Sequence, residues 1–350
     1  MSEVNSPLTL ARARLSNWPR VPLVQGPTAL QPLHRISEHL GGPRIWIKRD
    51  DVTGLATGGN KTRKLEFLLA DALAQGCDTL ITQGALQSNH ARQTAAAAAA
   101  AGLRAHVVLS AAVPGRDSDY ARLGNIQLCR LLGAQVHILD GTQDADDACA
   151  ALAQQLRAQG AKPYVIAMGG SCGMGALGYA RAFDELQAQW SPQVGHMDAV
   201  VLATGSGGTQ AGLMLGAYLH AWTGRIHGVS VGPTHAVALQ RIRTALRGAA
   251  GLLELAEDAL QSMPAVIDTD HTGPHYGVPD AATYAAVQLL AQREGIVLDP
   301  VYSGKGFAGL LTACRPGGDL HSARNVVFVH TGGAAALCVY PEVGAPPHTS

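Results

Sequence analysis

Residues 58–67 read GGNKTRKLEF. Two glycines and an asparagine bring a permissive backbone up to Lys61, and the charged run behind it leads into Leu65, Phe67, Leu68 and Leu69. A lysine in that setting can hold a phosphate, bond to a carbonyl carbon, or solvate the start of a helix. The choice depends on what surrounds it.

Outward from this stretch, short β-like runs alternate with helical ones. Strands are expected at 45–48, 79–82, 105–109, 135–139 and 164–167, with helices at 64–74, 88–101, 124–132 and 144–159 between them. Gly76, Gly102, Gly133 and Gly160 stand just past those helices, where a chain leaving a helix most easily turns left-handed. After the glycine-rich break GGSCGMGALG (169–178) a helix to about 189 is expected. Strands at 199–203, 226–231 and 325–330 and helices at 209–218 and 280–294 continue the pattern, and 233–264 reads as helical without clear limits. Strand and helix in alternation imply an α/β fold with open parallel sheets, and ligands at the C-terminal ends of the strands.

Composition limits the function. The chain has 350 residues, 47% hydrophobic and 15% charged, and length favours two domains over one. Lysine plus arginine (26) equals aspartate plus glutamate (26), so the basic surplus of a nucleic-acid binder is missing. The apolar tract Ala95–Ala101 is too short to span a membrane, and the N-terminal stretch MSEVNSPLTLARARLSNWPR lacks a signal-like apolar core. The six cysteines are scattered without a C-x-x-C pair, which favours free thiols in the cytoplasm over a disulfide framework or a zinc site.

ATGSGGTQAG (203–212) follows the apolar run AVVLA and opens a helix. Glycine allows backbone N–H groups to approach an anion, the helix N-terminus adds its dipole, and Ser206 and Thr209 add hydroxyls. No Lys-Ser/Thr pair follows, so it is not a Walker loop, and the G-x-G-x-x-G spacing is absent. A small-phosphate cup, with a distant lysine on a glycine hinge, points to pyridoxal 5'-phosphate, which uses both. In QGALQSNHARQTAAAA (83–98), Gln87, Ser88 and Asn89 stand at a strand-to-helix turn. Ser88 suits a helix cap, and the turn suits a substrate carboxylate and the cofactor's phenolic oxygen.

KRDDVTGLATGGNKTRKLEF, QSNHARQTAAAA, TGSGGTQAGL, HYGVPD, DPVYSGKG and HTGG, in this order, resemble the D-cysteine desulfhydrase/ACC deaminase family. That resemblance implies a pyridoxal-phosphate enzyme of the tryptophan-synthase-β-like fold (fold type II), usually a homodimer acting on a small amino acid. It implies a smaller domain, 63–175, set into a larger one formed by 1–62 and 176–350. Lys61 matches the Schiff-base lysine, Asn89 the partner of the pyridine hydroxyl, and Ser88 lies beside the substrate. Thr204, Gly205, Ser206, Gly207, Gly208 and Thr209 match the phosphate cup, and Tyr276 and Tyr302 the active-site tyrosine pair.

Within the family, ring-opening deaminases resemble one another in a glutamate after the tyrosine of DPVY and a leucine in the H-x-G-G element. Here Ser303 and Thr331 stand at those positions. A hydroxyl beside the pyridine nitrogen makes a weaker electron sink than a carboxylate, which suits β-elimination of a good leaving group. His90 fits the desulfhydrase version of the QSN stretch. D-cysteine is therefore the expected substrate. L-cysteate sulfo-lyases are similar at the same motifs, and a sulfonate would call on Lys64, Arg92 or Lys305. A non-catalytic amino-acid-binding protein of the same fold is the reading from another class. SVGPTHAVALQRIRTALRG (230–248) and Cys172 depart from the family, and if they line the pocket the substrate is an unusual β-substituted amino acid.

Overall fold

A computed structural model describes residues 6–140, 143–256, 260 and 263–344. Two sheets organise it. The larger is built from β1 (Leu30–Pro32), β2 (Arg44–Lys48), β7 (Ala199–Thr204), β8 (Arg225–Ser230), β9 (Val266–Asp268) and β10 (Asn325–Val329), in the order β1-β2-β10-β7-β8-β9. Its pairings are parallel except for the short edge strand β1. The smaller is wholly parallel, with β3 (Thr79–Ala85), β4 (Arg104–Ser110), β5 (Gln135–Leu139) and β6 (Pro163–Ile166) in the order β5-β4-β3-β6.

Parallel strands are covered on both faces and so carry nearly unbroken apolar runs. Every residue of β7 and β10 is buried. Helices α1 (Pro7–Asn17), α7 (Gly173–Gln193), α8 (Gly208–Leu219) and α9 (His235–Leu252) cover one face of the larger sheet. On its other face lie α2 (His34–Leu40), α10 (Ala281–Glu294) and α11 (Ser303–Cys314). The smaller sheet packs on α3 (Lys61–Ala74), α4 (Asn89–Ala100) and α5 (Asn125–Leu131), with α6 (Ala145–Ala158) on its other side.

The expected elements are present with shifted ends. Helix α3 starts at Lys61 rather than 64, because Asn60 already has helical angles (φ −61, ψ −20). The glycine-rich stretch 173–178 opens α7 instead of interrupting the chain. Its glycines permit contact: a Cβ on Gly178 would lie 2.2 Å from the Arg63 carbonyl oxygen, so α7 and α3 cross backbone against backbone. Part of 233–264 forms α9, while 257–259 and 261–262 lie outside the described residues.

A buried ionic cluster locks this crossing. Arg63 donates to both carboxylate oxygens of Asp50 at 2.8 Å and to Glu185 at 2.9 and 3.0 Å. Tyr179 donates to Asp50 at 2.6 Å, and Lys48 pairs with Glu185. Burial alone would raise the Asp50 carboxyl, but the Arg63 guanidinium outweighs it and holds the group at about 2.

Candidate active site

The C-terminal ends of both sheets open onto a cavity of about 390 Å³. Gln83, Gly84 and Ala85 come from β3, Ser110 from β4, Ala203 and Thr204 from β7, and Thr331 from the turn after β10. This is where an open parallel sheet leaves strand ends and helix N-termini facing a common crevice.

Lys61 lines the cavity from the first turn of α3. Its Nζ has one protein partner, the Asn60 side-chain oxygen at 3.3 Å, and no carboxylate pairs with it among the described residues. Burial lowers its amine to about 8. The Asn60 amide donates to Thr209 Oγ1 at 3.0 Å, so the Thr209 hydroxyl proton remains available.

Thr204, Gly205, Ser206, Gly207 and Thr209 line the cavity opposite. Gly207 occupies the N-cap of α8 with φ +82 and has no side chain to cap the helix, so beyond the Gly208 N–H, which Ser171 takes, the N–H groups of Thr209 and Gln210 are left for a ligand. Ser206 Oγ lies 2.7 Å from Ser171 Oγ, which also accepts from Lys64 Nζ at 3.0 Å and from the Gly208 N–H at 3.3 Å. Burial and the neighbouring Lys61 depress the Lys64 amine.

The QSN turn supplies a third wall through Ser88, Asn89 and His90. Ser88 caps α4 by accepting from the Ala91 N–H at 3.1 Å. Asn89 Oδ1 accepts from Asn125 at 3.0 Å and Arg92 at 3.4 Å, which turns its amide N–H₂ outward as a donor. His90 is buried, with Nε2 2.8 Å from Thr82 Oγ1. Thr82 gives its own proton to the Ile166 carbonyl, so His90 Nε2 is the donor. Burial, with Lys61 and Lys64 nearby, keeps the imidazole neutral, well below its ordinary value. Tyr276 and Tyr302 complete the wall, hydroxyl against hydroxyl.

Three expected contributors stand outside this lining. The Gln87 side chain is held by the Tyr120 and Leu123 carbonyls and by the Asn125 N–H, so it ties α4 to α5 instead of meeting a ligand. Gly208 packs on Ser171, where a Cβ would lie 2.6 Å from Oγ. The Ser303 hydroxyl is engaged with Asp299 and lies 3.3 Å from the Gly332 carbonyl; of the hydroxyl pair, Thr331 is the one on the wall. The cations considered for a sulfonate are also turned elsewhere. Lys64 serves Gly169 and Ser171, Arg92 the carbonyls of residues 56 and 58, and Lys305 those of Thr272 and His275. Cys172 precedes α7 outside the lining.

The wall also includes Asn60, Met168 and Gly169, which reading the sequence passed over, and Val231, Gly232, Pro233, Val237 and Arg241 from the divergent stretch, which therefore does line the pocket. Their position just after β8 was the available signal, since residues beyond a parallel strand's C-terminus face the crevice.

The donors suit pyridoxal phosphate. A lysine lowered to about 8 without a carboxylate suits its carbonyl, a helix start with a left-handed glycine, open N–H groups and the Thr209 hydroxyl proton suits its phosphate, and the outward Asn89 amide suits its phenolic oxygen.

The Pyridoxal-phosphate dependent enzyme family matches residues 21–332. A D-cysteine desulfhydrase of Serratia proteamaculans is 43% identical over 331 residues, covering 94% of this chain and 98% of its own. One from Klebsiella pneumoniae is 44% identical over 326 residues, covering 93% and 97%. The crystal structure of an ACC deaminase homologue superimposes with a TM-score of 0.84 at 37% identity, covering 95% of this chain and 97% of the other. With maize serine racemase, at 17% identity and TM-score 0.64 over 97% of each chain, only the fold is shared. The chain belongs to the pyridoxal-phosphate dependent enzymes of fold type II, in the family that holds the D-cysteine desulfhydrases and ACC deaminases.

Proposed function

We propose that the protein is a carbon–sulfur lyase that converts D-cysteine and water to pyruvate, hydrogen sulfide and ammonia. The observation that carries this reading is Lys61: a buried amine lowered to about 8, facing the glycine loop across one cavity. The names of the curated relatives supply the substrate.

When held by Lys61, pyridoxal phosphate supplies an electron sink that lets an amino acid lose its Cα proton and then its β-substituent. The protein's part is binding and proton handling. The start of α4, with Ser88 and the Asn89 amide, receives the substrate carboxylate and the phenolic oxygen. Lys61, near neutrality, takes the Cα proton. The Cβ–S bond breaks with both electrons on sulfur, and the tyrosine pair, kept protonated by burial, donates to it. The proton taken from Cα is returned to Cβ to complete the methyl group, water replaces nitrogen at Cα, and ammonia leaves.

The four-stranded sheet, drawn from residues 79 to 166, supports 63–175 as the smaller domain, with 1–62 and 176–350 as the larger. The family resemblance supports a homodimer, and the scattered cysteines suit the cytoplasm. Among the described residues no helix is long and apolar enough to cross a membrane.

The test is an elimination assay on D-cysteine, L-cysteate, ACC and both chloroalanine enantiomers, following pyruvate or 2-oxobutyrate together with the leaving group. Sulfide and pyruvate from D-cysteine, with little ring opening, are expected. Faster 2-oxobutyrate from ACC overturns the reading. Preference for L-cysteate would make the protein a sulfo-lyase, against the engagement of Lys64, Arg92 and Lys305 elsewhere.

A further inference from the structure

Arg241 lies on α9, in the stretch that departs from the family, and reaches the cavity wall. Its Nη1 donates to the Gly205 carbonyl at 3.1 Å, inside the glycine loop that precedes α8. The backbone of α9 presses on the same loop: a Cβ on Gly207 would lie 3.1 Å from Arg241 Cβ and 3.0 Å from the Ile242 nitrogen. Among the described residues no carboxylate pairs with Arg241, and Gly205 is the one acceptor its guanidinium meets. A guanidinium has five N–H donors, so most of them and the whole charge are left without a protein partner.

We propose that Arg241 is a phosphate-binding residue of the cofactor cup, contributed by the helix after β8. The charge is tied to Gly205, beside the uncapped N–H groups of α8, and not to the Ser88–Asn89 turn that suits a substrate carboxylate. On the inner side of the loop, Lys64 acts through Ser171 and Ser206. The Arg241 guanidinium beside the loop matches a phosphate dianion, and its fork suits the phosphate oxygens. The divergence of 230–248 then concerns how the cofactor is retained, not which amino acid is taken.

The inference rests on the cofactor reading of the site, and the test separates the two. Wild type, R241Q and R241K are dialysed as holoenzymes and then reloaded with pyridoxal phosphate or with pyridoxal, which lacks the phosphate, following visible absorbance. R241Q keeps a donor for Gly205 without the charge, and R241K keeps the charge. We expect R241Q to need about tenfold more pyridoxal phosphate for half-loading, R241K to fall near wild type, and pyridoxal loading to be equal in all three. Added salt should weaken wild type more than R241Q. R241Q loading like wild type makes the arginine a loop latch and overturns the proposal. So does unchanged cofactor loading with a raised KM for L-cysteate, which would make Arg241 a substrate contact. Circular dichroism verifies that α9 is intact; if R241Q does not fold, weak loading in a folded R241K with unchanged pyridoxal binding also counts against charge as the cause. Failure of wild type to take up pyridoxal phosphate would remove the cofactor reading itself.

Discussion

Tyr276 and Tyr302 meet hydroxyl to hydroxyl on the cavity wall, their ring centroids 5.9 Å apart and their planes 67° apart. They come from a loop before α10 and the N-cap of α11, and burial pushes both phenols above their ordinary value. Both therefore stay protonated below pH 10. Replacing either by phenylalanine should lower kcat about a hundredfold while cofactor loading is unchanged. No limb of the pH–rate profile below pH 10 should vanish. A limb near pH 8 lost in Tyr302→Phe would show that a phenolate is the base.

Lys61 should report its depressed value directly. With an amine at about 8 instead of 10.5, about a tenth is neutral at pH 7, against about one part in three thousand for an exposed lysine. The neutral form attacks a carbonyl, so cofactor reloading should rise about tenfold per pH unit up to about 8 and then level off. A rate still climbing above pH 9.5 would contradict the burial argument. Lys61→Ala should lose the cofactor's protein-linked absorbance and all turnover, with its circular dichroism intact.

The glycine loop gives a retention prediction. Gly207→Val places a branched side chain at φ +82 against α9, and Gly208→Val drives a Cβ into Ser171. Each should reduce cofactor occupancy after dialysis. Occupancy equal to wild type in both would reduce the loop to a turn.

Ser303 bears on engineering the sink. Its hydroxyl is fully buried and directed at the Asp299 carboxylate, which also accepts from the Ser303 N–H at 2.9 Å. Ser303→Glu would set one buried carboxylate against another. We expect a loss of about 3 kcal/mol in denaturant unfolding, with lower elimination activity, whether or not Thr331→Leu accompanies it. Ser303→Ala should cost about 1 kcal/mol. A Ser303→Glu protein as stable as wild type would show that the position opens toward the cavity when ligand binds.

The Asp50 cluster should set the acid limit of the fold. Its folded value of about 2 lies below the ordinary 3.8, so its contribution is present above pH 3.8 and is lost as pH falls toward 2. Asp50→Asn leaves Arg63 without its nearest carboxylate and should cost about 3–5 kcal/mol near neutrality. The gap between variant and wild type should narrow below pH 3, measured by urea unfolding across pH.

Much of the molecule was readable from local pattern. Alternating apolar runs and glycine stops marked the strands and helices of two parallel sheets, because helix period, strand period and turn chemistry are properties of neighbouring residues. Lys61, the 204–209 loop and the QSN turn stood out for the same reason: each joins an unusual backbone to a reactive or polar side chain over a few residues. What neighbours could not decide was where side chains point. Gln87 answers to carbonyls at 120 and 123, Ser303 to Asp299 and Gly332, and Lys305 to Thr272, partners set by how helices cross and loops return. Arg241 was marked only by the divergence of its stretch, and it reaches the cavity because α9 packs across Gly207. Sequence by itself determined the sheets, the lysine and the glycine loop, since these follow from short-range periodicity and backbone freedom. Only the tertiary structure decided which polar groups are satisfied within the fold and which are left to face a ligand, because a buried donor takes the nearest acceptor and that acceptor comes from elsewhere in the chain.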